Sequence, residues 1–138
     1  TAIFHLSKGL VGKLKNSKSS SIINISSIYG VNGPDLMLYE NTEMGNPAAY
    51  ASSKGGLVQF TRWLATSIAP NVRVNCISPG GVLRDQPTEF IKRYETRTPL
   101  KRMASEEDLK GIVAYLASDL SSYVTGQNII VDGGWTTW

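Results

Sequence analysis

Three short runs rich in β-branched residues, 21–26 (SIINIS), 72–77 (VRVNCI) and 127–132 (QNIIVD), stand far apart in this chain, with amphipathic stretches filling the gaps. Runs of that length and composition favour strands. Ahead of the first, residues 1–15 carry Ile3, Phe4, Leu6, Leu10, Val11 and Leu14 at near-helical spacing, and residues 47–69 carry Leu57, Phe60, Leu64 and Ile68 in the same way. A third helical stretch opens at Ser105 and runs through Ile112, Val113, Leu116 and Ala117. Strands separated by whole helices cannot close as hairpins and need crossover connections, which are right-handed and generate a parallel sheet. The expected fold is therefore α/β, part of a doubly wound parallel-sheet (Rossmann) domain with three strands alternating with helices.

Local signals sharpen the boundaries. Asn46-Pro47 reads as a helix start, with the Asn side chain as N-cap and Pro in the first turn, and Pro70 stops that helix. Ser78-Pro79-Gly80-Gly81 reads as the turn closing the second strand, and Ser105-Glu106-Glu107-Asp108 as a capping-box-like start with acids where the macrodipole favours them. Residues 30–46 form a long irregular loop, a type that is usually functional inside a compact domain. The polar stretch 82–103 has room for a short helix near 89–95.

Several function classes drop out. Cys76 is the only cysteine and His5 the only histidine, so neither an internal disulfide nor a Cys/His metal cage is available, and no metal site is expected. A Ser-His-acid triad would have to use His5, which sits in the first apolar-periodic stretch. No apolar run reaches the ~18 residues of a membrane span, so the expectation is a soluble, cytoplasmic protein without a membrane partner. The net charge of +3 comes from Lys8, Lys13, Lys15 and Lys18, because the first 34 residues hold no acid and the remaining 104 hold ten basic and eleven acidic residues. Such a local cluster is a solvated helix face, and no nucleic-acid partner is expected.

In open parallel sheets ligands bind at the carboxyl ends of the strands. Ser26, Ser27 and Gly30 follow the first strand, and Ser78 to Gly81 follow the second. Tyr50 and Lys54 stand four apart on the helix between them, which places both on one face. A nearby ammonium favours a phenolate, so such a pair can serve as a tuned general acid or base. Alone the spacing is weak, since six tyrosines and eight lysines make a chance pair common.

The segments INISSIYG (23–30), YASSKGG (50–56), RVNCISPGG (73–81) and VTGQNIIVDGG (124–134) resemble, in this order, the C-terminal half of the short-chain dehydrogenases/reductases. The resemblance implies a nicotinamide-dependent oxidoreductase acting on an alcohol/carbonyl pair of a small-molecule substrate, with NAD or NADP as cofactor. It assigns Ser27 to the substrate oxygen, Tyr50 to proton transfer, and Lys54 to lowering the Tyr50 pKa and contacting the nicotinamide ribose. Pro79, Gly80 and the backbone of Val82 match the turn that cradles the nicotinamide. Ser26 reads as a strand-end hydrogen-bond partner, and Gly80-Gly81 can also be read as nothing more than a tight turn. In this family the first helix and the helix of YASSK pair with a second subunit, which implies a homodimer or homotetramer.

Departures from the pattern are informative. Arg84 stands where the family usually has a threonine, and the separation from Ser27 to Tyr50 is longer than is common, so residues 35–46 are expected to lie over the substrate. The loop GVNGPDLMLYENTEMGNPAAY and the run SPGGVLRDQP are similar to oxidoreductases of flagellin modification and sialic-acid-like sugar synthesis, which implies a sugar or sugar-nucleotide substrate. Arg84, Arg93 and Arg97 are candidates for a phosphate or carboxylate, with solvated arginines as the plainer reading. A glycine-rich phosphate loop after a first strand is missing, since Gly9-Leu10-Val11-Gly12 lies within a helical stretch. The chain opens without Met and already in helical periodicity. It is therefore expected to be the C-terminal portion of one domain, 1–138, without the half that binds the adenosine end of the cofactor. The rival expectation is a catalytically inert fragment or truncated relative acting only through helix-mediated association.

Overall fold

The computed structural model describes residues 2–138. Its main elements are α1 (Ala2–Lys15), β1 (Ser20–Ile25), α2 (Ala48–Ile68), β2 (Val72–Pro79), α3 (Thr88–Arg97), α4 (Glu107–Ala117) and β3 (Asn128–Val131). Short 3-10 turns occupy Ile28–Gly30, Leu36–Tyr39 and Asp119–Ser121. All strand pairings are parallel, in the order β1-β2-β3, with Ser20 opposite Val72, Ile25 opposite Ile77 and Pro79 opposite Val131. This is the α/β crossover arrangement that the strand spacing predicts.

The two-residue repeat of β2 sorts its side chains between two helical layers. Val72 and Val74 pack into a cluster with Leu64, Ala65 and Ile68 of α2, flanked by Val11, Leu14 and Ile22. Arg73 points the other way, where its guanidinium donates to the Leu116 and Ser118 carbonyls at 3.1 Å and to Ser121 Oγ at 2.7 Å. It thereby satisfies the carbonyls left over at the end of α4. Ser21 does the same from β1, donating to the Leu116 carbonyl at 2.8 Å. A second apolar cluster lies beyond the strand ends, formed by Ile28, Leu38, Phe90, Tyr94, Met103 and Trp135. Arg97 lays its guanidinium 4.5 Å from the Trp135 ring and pairs with Asp35 at 3.4 Å, which fixes α3 over this cluster.

Three local expectations change. Asn46 does not cap α2: Pro47 is the residue at the N-cap position, no side chain caps the helix, and the buried Asn46 Oδ1 has no hydrogen-bond partner. β2 runs on through Ser78 and Pro79, because the neighbouring β3 still receives the ladder there and the Gly80 N–H donates to the Val131 carbonyl at 2.9 Å. A proline is tolerated at such a strand end, where its missing N–H interrupts nothing that follows. The capping box before α4 is half formed, with Asp108 accepting from the Ser105 N–H at 2.7 Å and from Ser105 Oγ at 2.9 Å. Among the described residues no helix is long and apolar enough to cross a membrane, and no metal-holding group of His, Cys, Asp and Glu occurs.

Candidate active site

Because β1 and β2 are parallel and in register, the chain leaves both at the same edge of the sheet, beside the first turn of α2. Ser26 continues the ladder, its N–H donating to the Ile77 carbonyl at 2.7 Å, while its Oγ donates to the Lys54 carbonyl at 2.8 Å. It is the strand-end tie anticipated for it. Ser27, still extended, turns its Oγ to accept from the Tyr29 N–H at 3.2 Å and so caps the turn that follows. That turn runs tight against α2: a Cβ on Gly30 would stand 2.8 Å from the backbone carbon of Lys54.

These elements enclose a cavity of about 360 Å³ lined by Ser27, Tyr50, Gly80 and Val82, together with Tyr29, Tyr39, Asn46, Gln86 and Tyr94. Four of the six anticipated site residues therefore meet there. Lys54 and Pro79 do not line it. Lys54 stands behind, its Nζ donating to the Ile25 carbonyl at 3.0 Å and lying 5.6 Å from the Tyr50 ring centroid. Pro79 is buried at the end of β2 and sets the direction in which Gly80 leaves the sheet.

The far wall comes from the segment between β2 and α4. Val82 forms a parallel bridge with Ala104, made by the Ala104 N–H to the Gly81 carbonyl and the Leu83 N–H to the Ala104 carbonyl, both near 2.9 Å. This leaves the Val82 N–H outside the bridge, while its carbonyl accepts from Gln86 Nε2 at 2.9 Å. Tyr94 reaches back from α3 to accept the Gly81 N–H. Burial pushes its phenol up to about 12, and burial together with the Tyr39 hydroxyl raises that of Tyr29. Of the phenols lining the cavity, Tyr29 and Tyr94 thus stay protonated.

Residues 35–46 do bend over the cleft, contributing Tyr39, Met44, Gly45 and Asn46, whereas Asp35 faces a separate cavity of about 650 Å³ beside Arg93 and Arg97. The arginines flagged in the sequence each have partners within the fold. Arg93 donates to the Leu38 and Glu40 carbonyls, Arg97 holds Asp35 and Trp135, and Arg84 pairs with Glu106. The Tyr29–Tyr39 hydroxyl pair, at 3.0 Å, and Tyr94 went unread in the sequence, where nothing periodic links them.

The described architecture and strand-end cleft define a Rossmann-type α/β protein. A family model described as Enoyl-(Acyl carrier protein) reductase matches residues 1–136, and the chain belongs to the short-chain dehydrogenase/reductase family that this model represents. Post-translational flagellin modification protein A of Campylobacter coli is 38% identical over 130 residues, covering 94% of this chain and 51% of that protein. The crystal structure of a short chain dehydrogenase from Leptospira borgpetersenii with bound NAD+ superposes with a TM-score of 0.90 at 45% identity, over 97% of this chain and 52% of that one. A gluconate 5-dehydrogenase from Burkholderia cenocepacia in complex with NADP and tartrate gives 0.83 at 26% identity, over 99% and 52%. The chain spans about half the length of the curated relatives it matches.

Proposed function

We propose that this chain is the C-terminal, catalytic portion of a single-domain oxidoreductase that uses NAD or NADP to transfer a hydride to or from an alcohol/carbonyl pair, with a sugar or sugar nucleotide as substrate. The observation that carries the reading is the meeting of Ser27 and Tyr50 on one cavity, with the Lys54 ammonium held beside the Tyr50 ring. Ser27 Oγ already accepts from the Tyr29 N–H, so its own O–H is free to donate to the substrate oxygen. Tyr50 delivers a proton to that oxygen as a carbonyl becomes a hydroxyl, and removes it in the reverse direction.

The residues fit the cofactor on two counts. Lys54 commits one of its three N–H donors to Ile25 and keeps two for the ribose hydroxyls. The Val82 N–H stands outside its bridge, where it can meet the carboxamide, and Gly80 adds no side chain at the turn. When bound, the nicotinamide supplies or accepts the hydride at the substrate carbon. The gluconate 5-dehydrogenase neighbour supports the sugar part of the reading. A cytoplasmic setting accompanies it, since the buried, unpaired Cys76 needs no oxidising compartment.

The test is Tyr50→Phe in the complete protein that carries this chain, assayed with NAD(H) and NADP(H) on sugar alcohol/carbonyl pairs. Turnover is expected to fall by about 10²–10⁴ with an unchanged melting temperature, and a variant as active as wild type overturns the assignment. A second reading, association through helices, is favoured by the apolar face shared by α1 and α2, where Phe4 and Phe60 meet and the exposed Trp63 stacks on Phe60. It predicts a homodimer or homotetramer by ultracentrifugation, dissociated by Trp63→Glu. A monomer at all concentrations overturns it.

A further inference from the structure

The cavity that holds Ser27 and Tyr50 also holds polar capacity that the proton transfer does not use. Asn46 lines this cavity, and its Oδ1 is buried without a hydrogen-bond partner. Its position just before Pro47 would suit a helix cap, yet the side chain does not cap α2. An acceptor of this kind loses water on folding and gains nothing in return, which is destabilising unless a ligand completes it. On the same wall the Tyr29 and Tyr39 hydroxyls share a single hydrogen bond at 3.0 Å, so one of their two O–H protons remains uncommitted. The cavity therefore offers one unused acceptor and one unused donor. A hydroxyl is the group that satisfies both kinds at once, whereas an acyl chain laid in the same place would leave both buried and unpaired.

We propose that Asn46 is a specificity-determining residue that accepts a hydrogen bond from a substrate hydroxyl other than the reacting one, selecting polyhydroxylated substrates over acyl thioesters. This rests on the oxidoreductase reading given above and names the feature of the substrate that the site reads. Asn46 takes no part in proton or hydride transfer. Its contribution lies in binding, so it acts on KM more than on kcat. Because its acceptor is unpaired in the protein alone, an apolar side chain of similar size removes an unmet demand and leaves the fold at least as stable.

The experiment uses the complete protein, wild type and Asn46→Leu, with NAD and NADP. Two measurements are made: kcat/KM for a panel of aldohexoses, their single-deoxy analogues and acetoacetyl-N-acetylcysteamine, and calorimetric binding of the same sugars. Wild type is expected to discriminate against at least one deoxy analogue by about tenfold. Asn46→Leu brings that ratio close to one, chiefly through KM, and melts no lower than wild type. The proposal is overturned if the variant keeps the discrimination, if its melting temperature drops, if wild type prefers the thioester, or if no sugar is bound or turned over. Sugar binding that depends on Asn46 without any oxidation leaves the residue assignment standing and removes the oxidoreductase reading. Turnover that depends on Tyr50 with no effect of Asn46→Leu on selectivity does the reverse.

Discussion

Lys54 donates from its ammonium to the carbonyl of Ile25 at 3.0 Å, joining α2 to the last residue of β1. The bond fixes a long, flexible side chain at one place beside Tyr50, so the charge is positioned before any ligand arrives. Lys54→Met is expected to lower kcat/KM by about 10²-fold and to raise the cofactor KM in steady-state assays of the complete protein. Lys54→Arg should not restore activity, because a planar guanidinium cannot both meet the Ile25 carbonyl and keep point donors free on the other side. Full activity in either variant would count against the placement.

A second tie between strand and helix bears on stability. Asn24 Nδ2 donates to Thr61 Oγ1 at 2.8 Å inside the sheet–helix interface, and Thr61 Oγ1 donates onward to the Leu57 carbonyl at 2.9 Å. Thr61→Val strands a buried amide donor and is expected to destabilise the protein by about 1–3 kcal/mol. Adding Asn24→Leu removes the stranded group and should recover part of the loss. Urea unfolding of wild type, Thr61→Val and the double variant checks this, and a double variant less stable than Thr61→Val would contradict it.

Gly80 has a steric reason to be glycine. A Cβ there would stand 2.8 Å from the Tyr94 hydroxyl and 2.9 Å from the Cα of Asp132, and the second neighbour is backbone that cannot swing aside. Gly80→Ala should cost about 1–3 kcal/mol and displace Tyr94 from the Gly81 N–H. Thermal unfolding and the near-ultraviolet tyrosine signal report both effects, and an unshifted melting temperature would show that the turn has slack.

Acid should expose the clasp before α4. The Arg102 guanidinium, gripping Asp108 through two bonds of 2.7 Å, and the N–H and hydroxyl of Ser105 hold the Asp108 carboxyl well below the usual carboxylate range. A depressed folded value stabilises the protein above the unfolded value of about 4, and that contribution disappears as pH falls through the folded value. The melting temperature of Asp108→Asn should therefore lie below wild type at neutral pH, with the gap closing progressively below about pH 4. Arg102 is exposed and Asp108 only partly covered, so the gap will be modest. A gap that persists unchanged into strong acid would show that the carboxylate is not its source.

Much of this architecture is written in local patterns. The runs at 21–26 and 72–77 gave β1 and β2 to within two residues, and Tyr50 with Lys54 could be paired because a four-residue spacing on a helix is a local geometry. What escaped depends on tertiary placement. Asn46 carries every local mark of a cap, yet its Oδ1 is left buried and unpartnered at the cavity wall, because the turn at Leu36–Tyr39 carries the chain from Tyr39 to Asn46 over the strand ends. Tyr29 and Tyr39 come together only once two 3-10 turns have formed, and Arg97 finds Trp135 across 38 residues of chain. No window of sequence contains these pairs. Arg93 and Arg97 looked available for an anion in the sequence because their partners, the Leu38 and Glu40 carbonyls and Asp35, lie more than fifty residues upstream.

The bridge between Val82 and Ala104 divides the labour of the cleft in heritable terms. It pins both ends of the segment 83–103, which carries α3 and supplies Gln86, Phe90, Tyr94 and Met103 to the cavity wall. A loop with fixed ends pays little for a change of length, about 0.6 kcal/mol for each doubling. Insertions, deletions and wholesale replacement can therefore accumulate between the two anchors while Ser27, Tyr50 and Lys54, on the strand-end floor, keep their positions. On the proposed function, such a design would let the substrate change by rewriting one tethered segment while the proton-handling residues stay as they are.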